Sequence, residues 1–543
     1  MLRSCQWDFV ARLGPGAFRT ISGEVVNTIL LIMTQKHPTD AHFLHQLDAS
    51  SQKSPDEKDM LLRSMSIQVA SQKEQLANPD ARVTSGSAHE SILLKQYADS
   101  RYGLRTADSN RFIRCFWEAP CLLKGWTLHQ STVTTTEDYG GREHVILWQE
   151  GQGEIRHLAD LGLASIQGGD AWKKQGIAVS LMSSLPVTRY TGELFDNNCA
   201  VIWPHNTQHL LPIWAFCSSA EFNISVRLID QTLKVTNQTL LKVPFDLERW
   251  QSVADEAGPL PEPYSDDPTQ WLFKGQPVIS TAPLQVAVAR LLGYSWPEQA
   301  DDDLREFVNE DGIVPLPAMS GELAATERLR ALLAHAYDDT WSHTKEEELL
   351  SAAEFAGKSL DLWLRDGYFK QHCRLFHSRP FIWHISDGRK DGFSALVNYH
   401  KLDARLLEKL TYTYVGDWIA RQQESVRRNE GGADARLQAV KELQAKLKLI
   451  LEGEPPYDIY VRWKQLHEQP IGWEPDLNDG VRLNIRPFMT ADVLSSKPGI
   501  KWGIDRGKNP DSSARDNDVH LIRVAKQAAR EAHVAVPGRI MTG

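Results

Sequence analysis

No pair of cysteines in the sequence is spaced as CxxC, and the six present, Cys5, Cys115, Cys121, Cys199, Cys217 and Cys373, fall at irregular intervals. That spacing gives neither a zinc knuckle nor a disulfide framework, so a reducing cytoplasm is the expected location. Long apolar runs are missing too. Val25 to Met33 falls far short of the roughly 20 residues that cross a bilayer. It also lies behind Arg12 and Arg19, too far in for an obvious secretory signal. No membrane partner is expected. A basic excess is also absent: 60 Lys and Arg stand against 70 Asp and Glu, a net charge of -10. This excludes a wholly basic nucleic-acid binder but leaves room for a local patch. No internal repeat is visible.

What is present is the composition of an ordinary globular protein, 42% hydrophobic and 24% charged over 543 residues. A chain of that size folds as several packed domains. The opening stretch VARLGPGAFRTISGEVVNTILLIMTQ reads as a glycine turn followed by a hydrophobic strand, expected to be buried inside an α/β sheet. Thr39 to Ala98 is polar, with a helical pattern from Pro55 to Leu76, and reads as a helical connector. From Ser100 to about Arg249 short β-branched and aromatic runs (HVILW, GIAVSLM, CAVIWP) alternate with Gly and Asn turns, as in a mixed α/β domain. A Pro/Asp-rich linker, AGPLPEPYSDDP, leads to helical patterns at Leu284 to Leu292 and Leu323 to Ala336. Long helices are expected at Glu346 to Arg365, Asp403 to Arg427 and Ala433 to Leu451, and a short one at Val519 to His533.

The segment YGLRTADSNRFIRCFWE, Tyr102 to Glu118, carries the most chemistry. Arg105, Arg111 and Arg114, with Arg101 just before, accompany Asp108 and a final Glu118. Guanidinium groups contact phosphates and donate paired hydrogen bonds to guanine edges, so this reads as a DNA contact or as a solvated basic turn. A second basic stretch, Leu362 to Phe393, interleaves six Lys and Arg (Arg365, Lys370, Arg374, Arg379, Arg389, Lys390) with seven aromatics and three Asp. Such a mixture suits a nucleic-acid groove, and equally a core hairpin with a charged rim. Phe381 and Trp383 are expected to be mostly buried, leaving Arg379, Arg389 and Lys390 as the contact candidates.

The first segment resembles the start of the target-recognition domain of TaqI-like adenine methyltransferases, patterned G-x-x-T-G-D-N-x-R-F. Gly103, Thr106, Asp108, Arg111 and Phe112 match, while Ala107 stands for the pattern's glycine and Ser109 for its asparagine. A glycine at the position of Ala107 points to a positive φ. Resemblance continues through GGDAWKKQGIAVSLMSSLPVTRYTGELFDNNCAVI, IWAFCSS and LKVTNQTLLKVPFDLERW. It resumes at LWLRDGYFKQHCRLFHSRPFIWHISDGRKDGFSALVNYHKLD and from Gly453 to Trp502. These blocks are similar to the large PglX-like and DISARM-type class 1 methyltransferases of phage-defence systems.

The resemblance implies α/β plus α architecture. Residues 1–38 would be a remnant of a Rossmann-like methyltransferase sheet, with Met1 inside the catalytic domain, and 39–98 a connector. Residues 99–255 would form the target-recognition domain, 256–345 a linker with a small helical region, and 346–543 a mainly helical C-terminal domain. It implies double-stranded DNA as partner and S-adenosylmethionine as cofactor of the complete enzyme, with no metal. Its DNA-binding residues would be Arg105, Thr106, Asp108, Asn110, Arg111 and Arg114, then Lys173 and Lys174, then Arg379, Arg389 and Lys390. In that class the flipped adenine's amine attacks the methyl carbon of the sulfonium, a reaction driven by positioning.

The groups that bind donor and adenine are expected outside this sequence. Gly14-Pro15-Gly16 reads as preceding its strand, whereas a donor loop follows one. The Pro455-Pro456-Tyr457 tripeptide follows a long helix and carries Glu454 in front, so it reads as a helix stop and not as an N/D-P-P-Y loop. Pro55-Asp56-Glu57-Lys58 reads as a solvated helix start rather than a nuclease core. His372, Cys373 and His377 lack a second ligand pair for zinc. Three readings stand: an enzyme part that binds DNA, a specificity subunit serving a separate catalytic fragment or other defence-system subunits, and an inactive gene fragment.

Overall fold

The computed structural model describes residues 1–19, 27–77, 83, 92–119, 124–300, 303–319, 321–454, 456–461, 463–500 and 523–534. The architecture is mixed α/β, with four small sheets and many helices among the described residues. No helix among the described residues is long and apolar enough to cross a membrane.

The N-terminal sheet joins β1 (Gln6–Gly14), β2 (Thr28–Thr34), β3 (Phe43–Asp48) and β4 (Gln68–Ser71) in the order β2-β1-β3-β4. β1 runs antiparallel to β2 and parallel to β3. The apolar run expected to be an interior strand is instead the edge strand β2, with Ile29, Leu30 and Ile32 more than half exposed. Hydrophobicity and β-branching select a strand, but they do not say what covers it. A second correction concerns the glycines, since Gly14 ends β1 and the turn therefore follows a strand. The partner that comes next is antiparallel, making a hairpin where a donor-binding unit needs a helix.

The helix Pro55–Ser64 starts on a capping box, with Ser54 Oγ accepting from the Glu57 amide and Glu57 from the Ser54 amide. It is shorter than the pattern suggests, because β4 and the helix Gln72–Ala77 follow. The expected solvated helix start holds for Asp56 and Glu57 but not for Lys58, which is buried and donates to the carbonyls of Ala49 and Gln52.

The central region contains β5 (Ala98–Tyr102), β6 (Ile113–Cys115), β7 (Trp126–Gln130), β8 (His144–Leu147), β9 (Gly176–Ser180), β10 (Val187–Tyr190), β11 (Leu194–Phe195) and β12 (Cys199–Pro204). They form two sheets, β10-β9-β12-β5 and β11-β7-β8-β6. β9 is buried along its whole length and β12 along all but its last residue, which is why both read as continuous apolar runs rather than alternating ones. Ile177, Val179 and Ile202 pack on Ile213 and Phe216 of the helix Leu210–Cys217, on Phe222 of Ala220–Ile229 and on Trp250 of Leu247–Ala257.

The largest core lies further along the chain. The helix Pro283–Leu291 is buried on every side. Against this core sits an antiparallel sheet of β13 (Ile313–Pro315), β14 (Ile382–Ser386) and β15 (Ser394–Asn398), ordered β13-β15-β14. The expected helix Glu346 to Arg365 is broken: His343–Ala352 ends, Glu354 and Gly357 take positive φ, and helix resumes at Leu360. The expected helix from Asp403 is observed as Ala404–Lys409, a π turn at Leu410–Tyr414, and Val415–Arg427. Ala433–Glu452 packs beside it after a turn through Asn429 and Gly432 at positive φ. Cys115, Phe116, Trp117, Trp126 and Val145 belong to the same core cluster, so the arginine-rich segment is anchored in the C-terminal half.

Candidate nucleic-acid interface

The backbone from Arg101 to Phe112 is fixed by its neighbours. The Leu104 amide donates to Phe195 O (2.7 Å), and Arg105 and Ser165 exchange two amide bonds of 2.9 Å each. Ala107 then takes φ +67°, the left-handed conformation that the resembling pattern fills with glycine. Asp108 precedes the short helix Ser109–Phe112, whose closing bond runs from the Phe112 amide to Asp108 O. Thr106 is buried, whereas Asp108 and Asn110 are half-buried.

This path runs beside a second segment that carries cations. Arg101 Nε lies 3.2 Å from Asp170 Oδ2, and Arg105 is bridged to Ser165, so the segment leading to Lys173 and Lys174 runs beside the first one. Arg101, Arg105, Lys173 and Lys174 are all exposed. Lys173 sits at φ +63°, and Lys174 Nζ lies 4.9 Å from the Trp203 ring centroid.

The other two arginines of the segment are committed elsewhere. Arg111 forms a two-pronged pair with Glu154 and stacks on Phe112. Arg114 is buried and donates to the carbonyls of Asn110, Ile113 (2.9 Å), Asn478 (3.3 Å) and Asp479 (3.1 Å). Burial holds its pKa below the usual arginine value. Gly480 makes room for it: φ is +85°, and a Cβ there would meet Arg114 Nε at 2.6 Å. Glu118, also buried, accepts from the amides of Cys115 and Val481 and faces Arg379 Nε at 3.7 Å. Sequence reading missed this Asn478-Asp479-Gly480 loop, and Glu154 as well. The one signal was a turn-forming Asn-Asp-Gly.

In the second segment the aromatic rings are core. Trp363, Tyr368, Phe369, Phe376, Phe381, Trp383 and Phe393 are all buried, so Phe381 and Trp383 lie where expected and no ring of the seven presents a face to a base. Trp383 stacks on Tyr399 with centroids 5.0 Å apart. Arg379 is half-buried at the joint with Glu118, and its carbonyl accepts from Trp117 Nε1 (3.1 Å). Arg389 pairs with Asp391 at 2.9 and 3.2 Å on the β14–β15 turn. Lys390 is exposed there, and with Lys370 it helps to hold the Asp366 carboxyl below its usual range, after the larger effect of Arg365.

His372 is fully buried, accepts the Ile382 amide on Nε2 (3.2 Å) and faces Gln285 Oε1 through Nδ1 (3.1 Å). Burial pushes it down to about 3. Among the described residues no group of three His, Cys, Asp or Glu is placed to hold a metal. Pro455 lies outside the described residues, and Tyr457 follows a helix that stops at Gly453 with φ +70°. The glycine turn does not fit a methyl donor either: a Cβ on Gly14 would meet Ser50 at 2.7 Å, and one on Gly16 the Lys53 carbonyl at 2.5 Å. Both glycines accommodate the chain's own backbone.

No protein-family model matches the chain. Its sequence is similar to that of an adenine-specific methyltransferase. The relative is the adenine-specific methyltransferase BrxX of Escherichia coli O9:H4 (strain HS), 28% identical over 149 residues. The match spans 26% of this chain and only 12% of that protein.

Proposed function

We propose that this chain binds double-stranded DNA and reads its target as part of an S-adenosylmethionine-dependent, site-specific DNA adenine-N6 methyltransferase of a restriction-modification or phage-defence system. The observation that carries the reading is the exposure of Arg101, Arg105, Lys173 and Lys174 on two segments linked through Arg101–Asp170 and Arg105–Ser165. Such cations meet phosphates, and the arginines can also address guanine edges. Likeness to an adenine-specific methyltransferase supports it. On this reading the β2-β1-β3-β4 sheet belongs to a Rossmann-like methyltransferase sheet, residues 99–255 form the recognition domain, and 346–543 buttress it through Arg114, Trp117 and Arg379.

A second reading, a specificity subunit that serves a separate catalytic chain, is favoured by the apolar edge strand β2, whose Ile29, Leu30 and Ile32 are more than half exposed among the described residues. Fluorescence anisotropy with a panel of duplexes tests the first step. Sequence-selective binding that weakens with salt is expected, and equal affinity for all duplexes overturns target reading. Methyl transfer from labelled donor then separates the two readings, because the second requires a catalytic partner to be added.

A further inference from the structure

Leu161 and Leu163 flank Gly162 just beyond the helix Glu154–Asp160, and among the described residues they are 60% and 57% exposed. Gly162 takes φ +75°, the left-handed conformation that ends many helices. The turn closes on the helix through its own backbone. The Leu161 amide donates to His157 O (3.1 Å), the Gly162 amide to Ala159 O (2.9 Å), and the amides of Leu163 and Ala164 both to Leu158 O (2.9 and 3.1 Å). At the other end of the helix Glu154 pairs with Arg111. The two leucines therefore stand exposed on a backbone that is held at both ends.

The turn also adjoins the exposed cations. Ser165, which exchanges two amide bonds with Arg105, follows Leu163 by two residues, at most about 7 Å of chain. One small core ties the parts together. Leu104 and Ala164, the buried neighbours of Arg105 and Leu163, belong to it with Ile155 of the helix, and Trp172, just before Lys173, packs against it. A single exposed leucine is ordinary, but this pair sits beside cations that the proposed function gives to phosphates. The turn itself does not suit a phosphate, because the exposed Asp160 adds a carboxylate where the negative end of the helix dipole already lies. What suits it is a base edge. In the major groove the apolar group on a base edge is the C5 methyl of thymine. Each adenine that an adenine-specific enzyme modifies in a duplex is paired with a thymine, so such a target always displays that methyl.

We propose that the turn 161–163 enters the major groove and reads thymine, by contact of the Leu161 and Leu163 side chains with C5 methyl groups. The assignment rests on the DNA-reading role proposed above and names the chemical group that this part of the interface selects.

The test uses one duplex in two forms. The tightest binder of the duplex panel is remade with deoxyuridine for every thymidine, which removes each C5 methyl and keeps the pairing. Both forms are titrated by anisotropy against the full chain, against Leu161→Ala and Leu163→Ala, and against the double variant. Burying one methyl is worth about fourfold in affinity, so the unsubstituted chain is expected to prefer the thymine form by about that factor or more. The double variant is expected to bind the thymine form as weakly as the unsubstituted chain binds the uracil form, with no preference left. Its melting temperature should stay the same, since both side chains are exposed. Equal affinity of the unsubstituted chain for the two forms overturns the proposal. A preference that the double variant retains overturns it too, and assigns the methyl effect to other residues or to duplex shape. In both cases selective binding across the panel still stands for the recognition role. If no duplex of the panel is preferred, the recognition role falls and thymine reading falls with it.

Discussion

Tyr102–Glu118 and Leu362–Phe393 have the same kind of composition, arginines interleaved with aromatic rings, and they end in different environments. In the second segment every ring is buried, and four cations sit beside acids: Arg365 with Asp366, Arg374 with Glu354, Arg379 with Glu118 and Arg389 with Asp391. The first segment divides, with Arg105, like Arg101 just before it, on the surface and Arg114 and Trp117 driven into the C-terminal core. A basic-aromatic pattern therefore reports two things at once: rings seeking a core and cations seeking partners. On the proposed function, only the residual exposed cations bear on DNA.

The largest test of that contrast is Trp383→Ala. Trp383 is fully buried against Tyr399, Trp473 and Phe488, and its indole donates to Pro380 O (2.9 Å). Removing it is expected to cost about 3–5 kcal/mol in urea unfolding. A loss below about 1 kcal/mol, the scale of surface changes, breaks the assignment of this segment to the core. Arg114→Ala comes next, at about 3 kcal/mol, because it leaves the Asn110, Ile113, Asn478 and Asp479 carbonyls without their buried donor. Unchanged stability together with a reduced salt slope in DNA binding would return Arg114 to the DNA surface.

Acid sensitivity sharpens the comparison further. His372 and His384 in the second segment, and His129 in the central region, are buried, and burial pushes them to about 3, 4 and 3. In the unfolded chain each takes up a proton near 6.5, while the folded form resists until the pH approaches these lower values. Their contribution is therefore complete above pH 6.5 and is lost as the pH falls. From pH 7.5 to 5.5 each histidine should lower stability by about 1 kcal/mol. Urea midpoints at the two pH values check it. His384→Gln should flatten the slope, and an unaltered slope contradicts a neutral buried imidazole.

Much of the fold could be read from the sequence where one local signal decides. Continuous apolar runs placed β9 and β12, and the pattern's glycine foretold the positive φ found at Ala107. The reading failed where the partner is distant. Nothing local places β2 on an edge, because burial depends on what packs against a strand. Ile382–Ser386 and Ser394–Asn398 form the core hairpin that the sequence leaves level with a nucleic-acid groove, since such short apolar strands have too few residues to show a period of 2. Glu154, 43 residues from Arg111, and the Asn478 loop, more than 360 from Arg114, were invisible for the same reason.

The smallest expected effect is the one most specific to function. Arg105→Ala and Lys173→Ala remove exposed cations that rest on a backbone held by other contacts, so thermal stability should change little. If each meets one phosphate, the slope of log K against log salt should fall by roughly 1 per substitution. Arg389→Ala should change that slope less, because its guanidinium already makes two bonds to Asp391 and would have to leave them to reach DNA. Should Arg389 have the larger effect, the duplex lies on the β14–β15 turn, and the cations around Arg105 have another purpose.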